Sequence, residues 1–110
     1  MATAYKILGQ ILPNANTLTN VYVSGAATST IINTITLCNQ QTSNAKIDLI
    51  LRPINEALAA KHYLLKGIEI LQADTLILSP GITMGSNCIL AANNIIDGNT
   101  SISAFGVEIS

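Results

Sequence analysis

Hydrophobic and polar residues alternate along several short stretches of the chain, which is the period-two pattern of half-buried β-strands. The clearest example is the stretch 30–39. One face of that stretch is mostly aliphatic and the other is richer in threonine: Ile31, Asn33, Ile35 and Leu37 against Ile32, Thr34, Thr36 and Cys38. We therefore predict a strand over 30–39 with its odd-numbered face buried.

Further strands are predicted at short, regular intervals: 4–9, 19–24, 46–52, 63–65, 68–71, 75–79, 82–84, 87–92 and 101–109. Pro80-Gly81 is a turn signal, and Asp97-Gly98 is typical of a tight hairpin turn, because both central residues of such a turn need positive φ. The stretch 55–61 (NEALAAK) contains good helix formers, and the sequence leaves it open between a short helix and a loop. Gly106, inside the last strand, indicates a bulge or a close backbone approach.

The composition agrees with an all-β protein. The chain contains 17 isoleucines and 11 threonines, and β-branched residues favour strands over helices. Eight or nine short strands within 110 residues predict a single domain over 1–110. Its expected architecture is an antiparallel two-layer β-sandwich, either immunoglobulin-like or jelly-roll-like.

Charge is scarce, and this excludes several classes of partner. Only 10% of residues are charged and the net charge is −1, against a usual charged fraction of about 25%. There is no basic face for nucleic acid or for an anionic membrane surface. The long uncharged stretches contain too many polar residues and turn signals to span a bilayer as helices. We expect no nucleic-acid partner and no membrane.

The side chains needed for catalysis are also scarce. His62 is the one histidine, and the six carboxylates are scattered singly along the chain. Cys38 and Cys88 leave two alternatives: buried free thiols that act as small hydrophobes, which we favour, or a disulfide between the two sheets. With His62 they lack the spacing of a zinc site. We predict a protein that is not an enzyme and has no cofactor and no metal.

The same scarcity of charge indicates that surface is buried in an assembly. A small soluble monomer normally carries charge on about a quarter or more of its surface residues, whereas the polar residues here are mostly Asn, Thr, Ser and Gln. We predict a subunit of a symmetric assembly.

Several stretches resemble a family of short virion structural proteins of tailed phages, cyanophages above all: AYKILGQ, NVYVSG, STIINTITLCN, KIDLILRP, KHYLLKG, TLILSPGITM and SISAFGVEIS. The resemblance covers nearly the whole chain and is structural rather than catalytic. The stretch NCILAANNII departs modestly from the pattern of that family.

The resemblance implies a small β-sandwich on the outside of the virion, made in the bacterial host cytoplasm without a secretory signal. The first expectation is a capsid decoration (cement) protein that contacts the major capsid protein or other virion proteins as a homo-oligomer, with a trimer favoured. The alternatives are a neck, tail or baseplate accessory subunit and a host-surface adhesin. The candidate interface residues lie on the first strand and on the threonine-rich face of 30–39: Tyr5, Lys6, Ile7, Thr30, Ile32, Thr34 and Thr36.

Overall fold

The computed structural model describes residues 3–96 and 99–109, and these form nine strands and one short 3₁₀ turn. The strands are β1 (Thr3–Ile11), β2 (Thr19–Val23), β3 (Ser29–Asn39), β4 (Ala45–Pro53), β5 (Tyr63–Ile70), β6 (Thr75–Leu78), β7 (Ile82–Met84), β8 (Cys88–Asn94) and β9 (Thr100–Ile109). The predicted strands are therefore confirmed, except that the two predicted pieces around Gly67 form one strand, β5. The predicted hairpin turn at Asp97-Gly98 lies outside the described residues.

The strands form two antiparallel sheets. Sheet A has the order β1-β9-β3-β6, and sheet B has the order β2-β8-β4-β5. In sheet A, β6 and β7 lie end to end along the same edge of β3, with β6 paired to its second half and β7 to its first half. The pairs β1·β9, β2·β8, β3·β6/β7 and β4·β5 are nested around the β4–β5 connection like one long hairpin that is folded over on itself. This is the arrangement of a jelly roll, so of the two predicted sandwich types the structure has the jelly-roll one.

The hydrophobic core lies between the inner faces of the two sheets. Its members come from both layers: Val21, Tyr22, Ile32, Ile35, Leu37, Ala45, Ile47, Leu49, Ile70, Met84, Leu90, Ala92, Ile102 and Ala104. Most of β3 and β9 alternates between buried and less buried residues, as a two-layer sandwich requires. In the middle of sheet B, β4 and β8 each bury four consecutive residues, so both faces of these strands are covered there.

The burial of β3 corrects one expectation about its faces. Ile35 and Leu37 are buried as predicted, but before them the buried residues are Thr30 and Ile32, on the other alternation. The cause is a bulge: Ile32 pairs with Gly106 and Thr34 with Phe105, so Asn33 is an extra residue. An extra residue shifts the period-two pattern by one and exchanges the two faces of the strand.

The close approach of β3 and β9 beside the bulge explains why residue 106 is a glycine. A Cβ atom placed there would lie 2.0 Å from the carbonyl oxygen of Ile31, so the two backbones approach more closely than any side chain allows. A second extra residue, Leu8, interrupts the pairing of β1 with the other side of β9. The prediction that Gly106 marks a close approach is confirmed.

The stretch 55–61 is not an α-helix. It forms a turn followed by a 3₁₀ turn at Ala60–His62. A run this short cannot offset the cost of helix nucleation, and side chains hold it in another shape. Arg52 Nη1 donates to the carbonyl oxygen of Glu56 at 2.7 Å, and His62 Nδ1 accepts from the backbone N–H of Ala59 at 2.9 Å.

Candidate interface on the outer face of sheet A

The strand register identifies the side chains that share the outer face of sheet A. Partners directly across an antiparallel ladder lie on the same face. One row consists of Tyr5, Val107 and Ile31, and the next of Ile7, Phe105 and Thr34. Gln10, Ser103 and Thr36 follow, with Ile77 beside Thr36 on β6.

Apolar side chains on this face are exposed to solvent in the isolated chain. Tyr5 is 82% exposed, Ile7 55% and Ile77 65%, while Phe105 and Ile31 between them are half-buried. We call this surface, from β1 across β9 and β3 to β6, the A face. Large apolar side chains exposed on a face without charge are typical of a surface that contacts another macromolecule.

The two sheets differ in charge. In the described part of the chain, the register places no charged side chain on the A face. The outer face of sheet B, by contrast, holds five charged residues: Lys46, Asp48, Arg52, Lys66 and Glu69. Part of that face is also covered by the connection between β4 and β5, which contacts β4 and brings Glu56 to Arg52. The A face is thus the one broad sheet surface that is both uncharged and bare.

Four of the seven residues predicted to form an interface lie on the A face: Tyr5, Ile7, Thr34 and Thr36. Thr30 and Ile32 do not, because the β3 bulge turns both into the core, where each is 0% exposed. Their selection as surface contacts was wrong. Lys6 pairs with Gly106 and points to the inner side of sheet A at its edge.

Sequence reasoning missed Ile77 and Phe105 as members of this surface. The signal was present in the alternation of 101–109, which places Phe105, Val107 and Ile109 on one face. The pairing order that sets Phe105 between Ile7 and Thr34 could not be deduced from that alternation.

A small polar network lies on the inner side of sheet A, the side opposite to the A face, where it meets β2 of sheet B. Lys6 Nζ forms an ion pair with Glu108, and the hydroxyl of Tyr22 donates to Glu108 Oε2 at 2.5 Å. Since Tyr22 donates to the carboxylate, the hydroxyl of Thr30, 2.8 Å away, donates to Tyr22. The network ties β2 of sheet B to β1, β3 and β9 of sheet A.

The network shifts the pKa of two of its members. The ammonium of Lys6, followed by the hydroxyl of Tyr22, lowers the pKa of Glu108. Burial, followed by the hydrogen bond to Glu108, raises the pKa of Tyr22. Each shift favours the protonation state found near neutral pH, a charged carboxylate and a neutral phenol.

A Glu108→Gln variant is expected to lose part of the acid dependence of stability. Because the folded-state pKa of Glu108 is lowered, its contribution is present above the unfolded-state pKa and is lost as the pH falls through the folded-state value. Urea unfolding at several pH values between neutral and acidic should show a flatter decline for the variant. Glu69→Gln, an exposed carboxylate on β5, is the control and should keep the wild-type slope; equal slopes in all three proteins would contradict the assignment.

His62 is part of the β4–β5 connection and is buried there. Its Nδ1 accepts from Ala59, so Nε2 carries the proton that is shared with Glu56 Oε1 at 3.2 Å. Lys61 pairs with the same oxygen at 3.0 Å, and the pKa of Glu56 is lowered, first by Lys61 and then by His62. These contacts give His62 a role in fixing the shape of the connection, while Arg52 of β4 bonds it to sheet B through the carbonyl oxygen of Glu56.

The remaining predicted site chemistry concerns thiols and metals. Cys38 and Cys88 are both free, so the free-thiol alternative is confirmed and the inter-sheet disulfide is wrong. Both thiols are half-buried rather than buried, which corrects the expected burial. In residues 3–96 and 99–109, no three His, Cys, Asp or Glu side chains come together in a group that could hold a metal ion. The same part of the structure contains no helix long and apolar enough to cross a membrane.

Known proteins similar to this chain are few and distant. No protein-family model matches the chain, and no curated protein matches it. Two solved structures are similar: infectious bursal disease virus Gx strain, at 8% identity and a TM-score of 0.48, and the Gt strain of the same virus, at 11% and 0.34. The similarity covers 97% of this chain but only 31% and 32% of those chains. Similarities at this level establish no shared function, and the jelly-roll assignment depends on strand order alone.

Proposed function

We propose that the protein is a structural subunit of a tailed-phage virion, and specifically a capsid decoration protein that docks on the shell through the A face. The observation that carries the proposal is the contrast between the two outer sheet surfaces. One is uncharged, with Tyr5, Ile7 and Ile77 exposed, and the other is charged and partly covered.

Burial of the A face against a large shell would remove its apolar side chains from water. A stable contact of ordinary size covers about 800 Å² per partner, roughly one seventh of the 5689 Å² surface of this chain. The threonines and serines of the A face can form hydrogen bonds across such a contact without the cost of desolvating charges. The polar composition therefore suits a permanent, close-fitting position on other proteins.

The fold is compatible with this role but is not specific to it. Jelly rolls occur in viral capsid proteins, lectins and cupins alike, and a shared fold does not imply a shared function. What favours the virion among these is the resemblance of the chain's segments to phage structural proteins, together with the bare, uncharged A face. The major capsid protein is the proposed partner, and the exterior of the head is the proposed location.

Quantitative mass spectrometry of separated heads and tails, from phage particles that carry the chain, tests this location. We expect the chain in the head fraction, at a copy number that approaches that of the major capsid protein. A low copy number in the tail fraction would overturn decoration in favour of a neck, tail or baseplate subunit. Absence from both fractions would overturn the virion role itself.

A matched pair of substitutions tests the surface. Ile77→Lys places a charge in the A face, and Leu71→Lys places the same charge on a side chain of similar exposure, 57% against 65%, in the loop after β5. Both chains should fold, because both side chains already face solvent. We expect Ile77→Lys to lower head occupancy at least tenfold and Leu71→Lys to leave it unchanged. Equal occupancy for the two variants would contradict docking through the A face.

A further inference from the structure

The first half of β1 is the exposed part of the strand, whereas its second half contacts β2 near Gly9. All five residues from Thr3 to Ile7 are exposed, including those whose side chains point to the inner side of the sheet. β1 is also the end strand of sheet A, so its second hydrogen-bonding edge faces outwards. A row of backbone N–H and C=O groups with no strand beside it is a template for pairing with another strand.

The other three sheet edges each have a feature that hinders such pairing. β2 has a register shift, and its Val21 carbonyl lies against Gly9 of β1. β5 has two register shifts and the charged residues Lys66 and Glu69. The β6/β7 edge is divided by a bend at Ser79–Gly81 that contains Pro80. Short, bulged, charged or proline-containing edges resist addition of a further strand.

β1 lacks these features over Thr3–Ile7. The segment contains no proline and no register shift, and its bulge, at Leu8, comes after it. Lys6 is its one charged residue, and the ammonium of Lys6 is already paired with Glu108 of its own chain. Among the edges of the described strands, this one alone combines a regular register with a neutral sequence that lacks proline.

We propose that Thr3–Ile7 pairs antiparallel with the same segment of a second copy of this chain, so that two A sheets join into one continuous sheet. The inference deepens the proposed assembly role and depends on it for its biological meaning. The proposed function assigns the shell as the partner of the A face. The present inference assigns a second copy of the chain as the partner of the β1 edge that borders this face.

The second copy suits this edge for two reasons. Antiparallel pairing of identical strands is a two-fold, self-complementary contact, the commonest kind between identical subunits. It also brings together two segments that are each neutral once Lys6 is paired with Glu108, so no charge is left without a partner. A strand with several charges of one sign would lack a complement on β1.

Joining two copies in this way also extends the candidate interface. Tyr5 and Ile7 of both copies would lie in one unbroken uncharged surface, because paired strands keep their outer faces on the same side. The pair would have two-fold symmetry rather than the three-fold symmetry of the trimer that the sequence favoured.

Single-cysteine cross-linking of the purified full chain tests the proposal. In a Cys38→Ser/Cys88→Ala background, each residue from Thr3 to Ile7 is replaced in turn by cysteine and the chain is oxidised. In an antiparallel pair of identical strands, only the residue at the two-fold axis faces its own copy. We therefore expect the yield of disulfide dimer to peak at one position, at least fivefold above that of its neighbours.

Mixtures of two variants complete the map. Pairs of positions equally distant from the peak, on opposite sides of it, should cross-link to each other, whereas a parallel arrangement would give self-cross-links at every residue of one face. Leu64→Cys in the same background, on the doubly shifted β5 edge, is the control and should give only the collisional yield. Uniformly low yields along Thr3–Ile7, equal to that control, would overturn the proposal.

The outcome is separable from the proposed function. A chain that is abundant in heads but shows no β1 cross-link would refute the pairing and leave the decoration role intact. A cross-link from Thr3–Ile7 to the major capsid protein in particles, with none between copies, would show that the edge takes a shell strand and would also refute the pairing. A chain that pairs in solution but is absent from particles would refute the virion role alone.

Discussion

A Gly106→Ala variant is expected to lose more than about 4 kcal/mol of folding free energy, a loss that only a few kinds of core or backbone damage produce. The added Cβ would lie 2.0 Å from the carbonyl oxygen of Ile31 and 3.1 Å from the Cα of Ile32. Both atoms belong to the backbone of β3 and cannot rotate away. β9 is held between β1 and β3, so relief of the clash requires separating paired strands.

Gly85→Ala is the matched control. Nothing lies within 4 Å of a Cβ placed at Gly85, and its φ is not in the left-handed region. Its stability should therefore change by less than about 1 kcal/mol in either direction. Urea unfolding, followed by circular dichroism, compares the two variants. A Gly106→Ala midpoint close to that of Gly85→Ala would show that the approach of the two backbones is not essential.

A Leu37→Ala variant is expected to lose about 2–5 kcal/mol, the usual cost of emptying a fully buried leucine site. Leu37 is 0% exposed and lies between Ile102 and Leu76 on the inner face of sheet A. The backbone around it is paired on both sides of β3, so the site has little freedom to collapse into the cavity.

Ile77→Ala is the control for Leu37→Ala. It truncates a large aliphatic residue of the adjacent strand on the opposite face of the same sheet, where the side chain is 65% exposed. Its unfolding free energy should stay within about 0.5 kcal/mol of wild type. Equal losses in the two variants would mean that the A face already contributes to the fold of the single chain. That result would also weaken the case for the A face as an interface.

Much of the architecture could be predicted from local patterns. Alternation in 30–39 and 101–109 located strands because side chains of a strand point to opposite faces in turn. Pro80-Gly81 separated β6 from β7, because proline cannot donate to the ladder. Gly106 indicated a close approach because a glycine inside a strand is otherwise unfavourable. Each of these signals is carried by one residue or its near neighbours.

The candidate site could be predicted only in part. Tyr5 and Ile7 were correctly placed at the surface because the N-terminal strand was expected to be an arm or an edge strand. Thr30 and Ile32 were misplaced because the extra residue, Asn33, has no distinguishing sequence signal. A bulge forms where two paired strands differ in length, and that difference depends on β9, about seventy residues away in the chain.

Buried polar residues are another feature that the sequence did not show. Asn39 is 1% exposed. The two N–H groups of its Nδ2 point to the carbonyl oxygen of Ser43, in the loop after β3, and to those of Ile70 and Leu71, at the end of β5, which share a donor. Asparagine after a strand usually indicates a turn. Its role in joining the loop after β3 to the end of β5 became visible only when both were brought together at one end of the sandwich.

The sequence by itself determined the all-β class, the positions of the strands and the scarcity of charge, because these depend on residue type and on period-two spacing. The tertiary structure decided that the strands pair as a jelly roll, that β3 changes face at Asn33, and that all the charge of the outer sheet surfaces lies on sheet B within the described residues. The physical reason is that alternation specifies one buried face for each strand but not which strand lies beside it. The choice of partner depends on contacts between residues far apart in the chain.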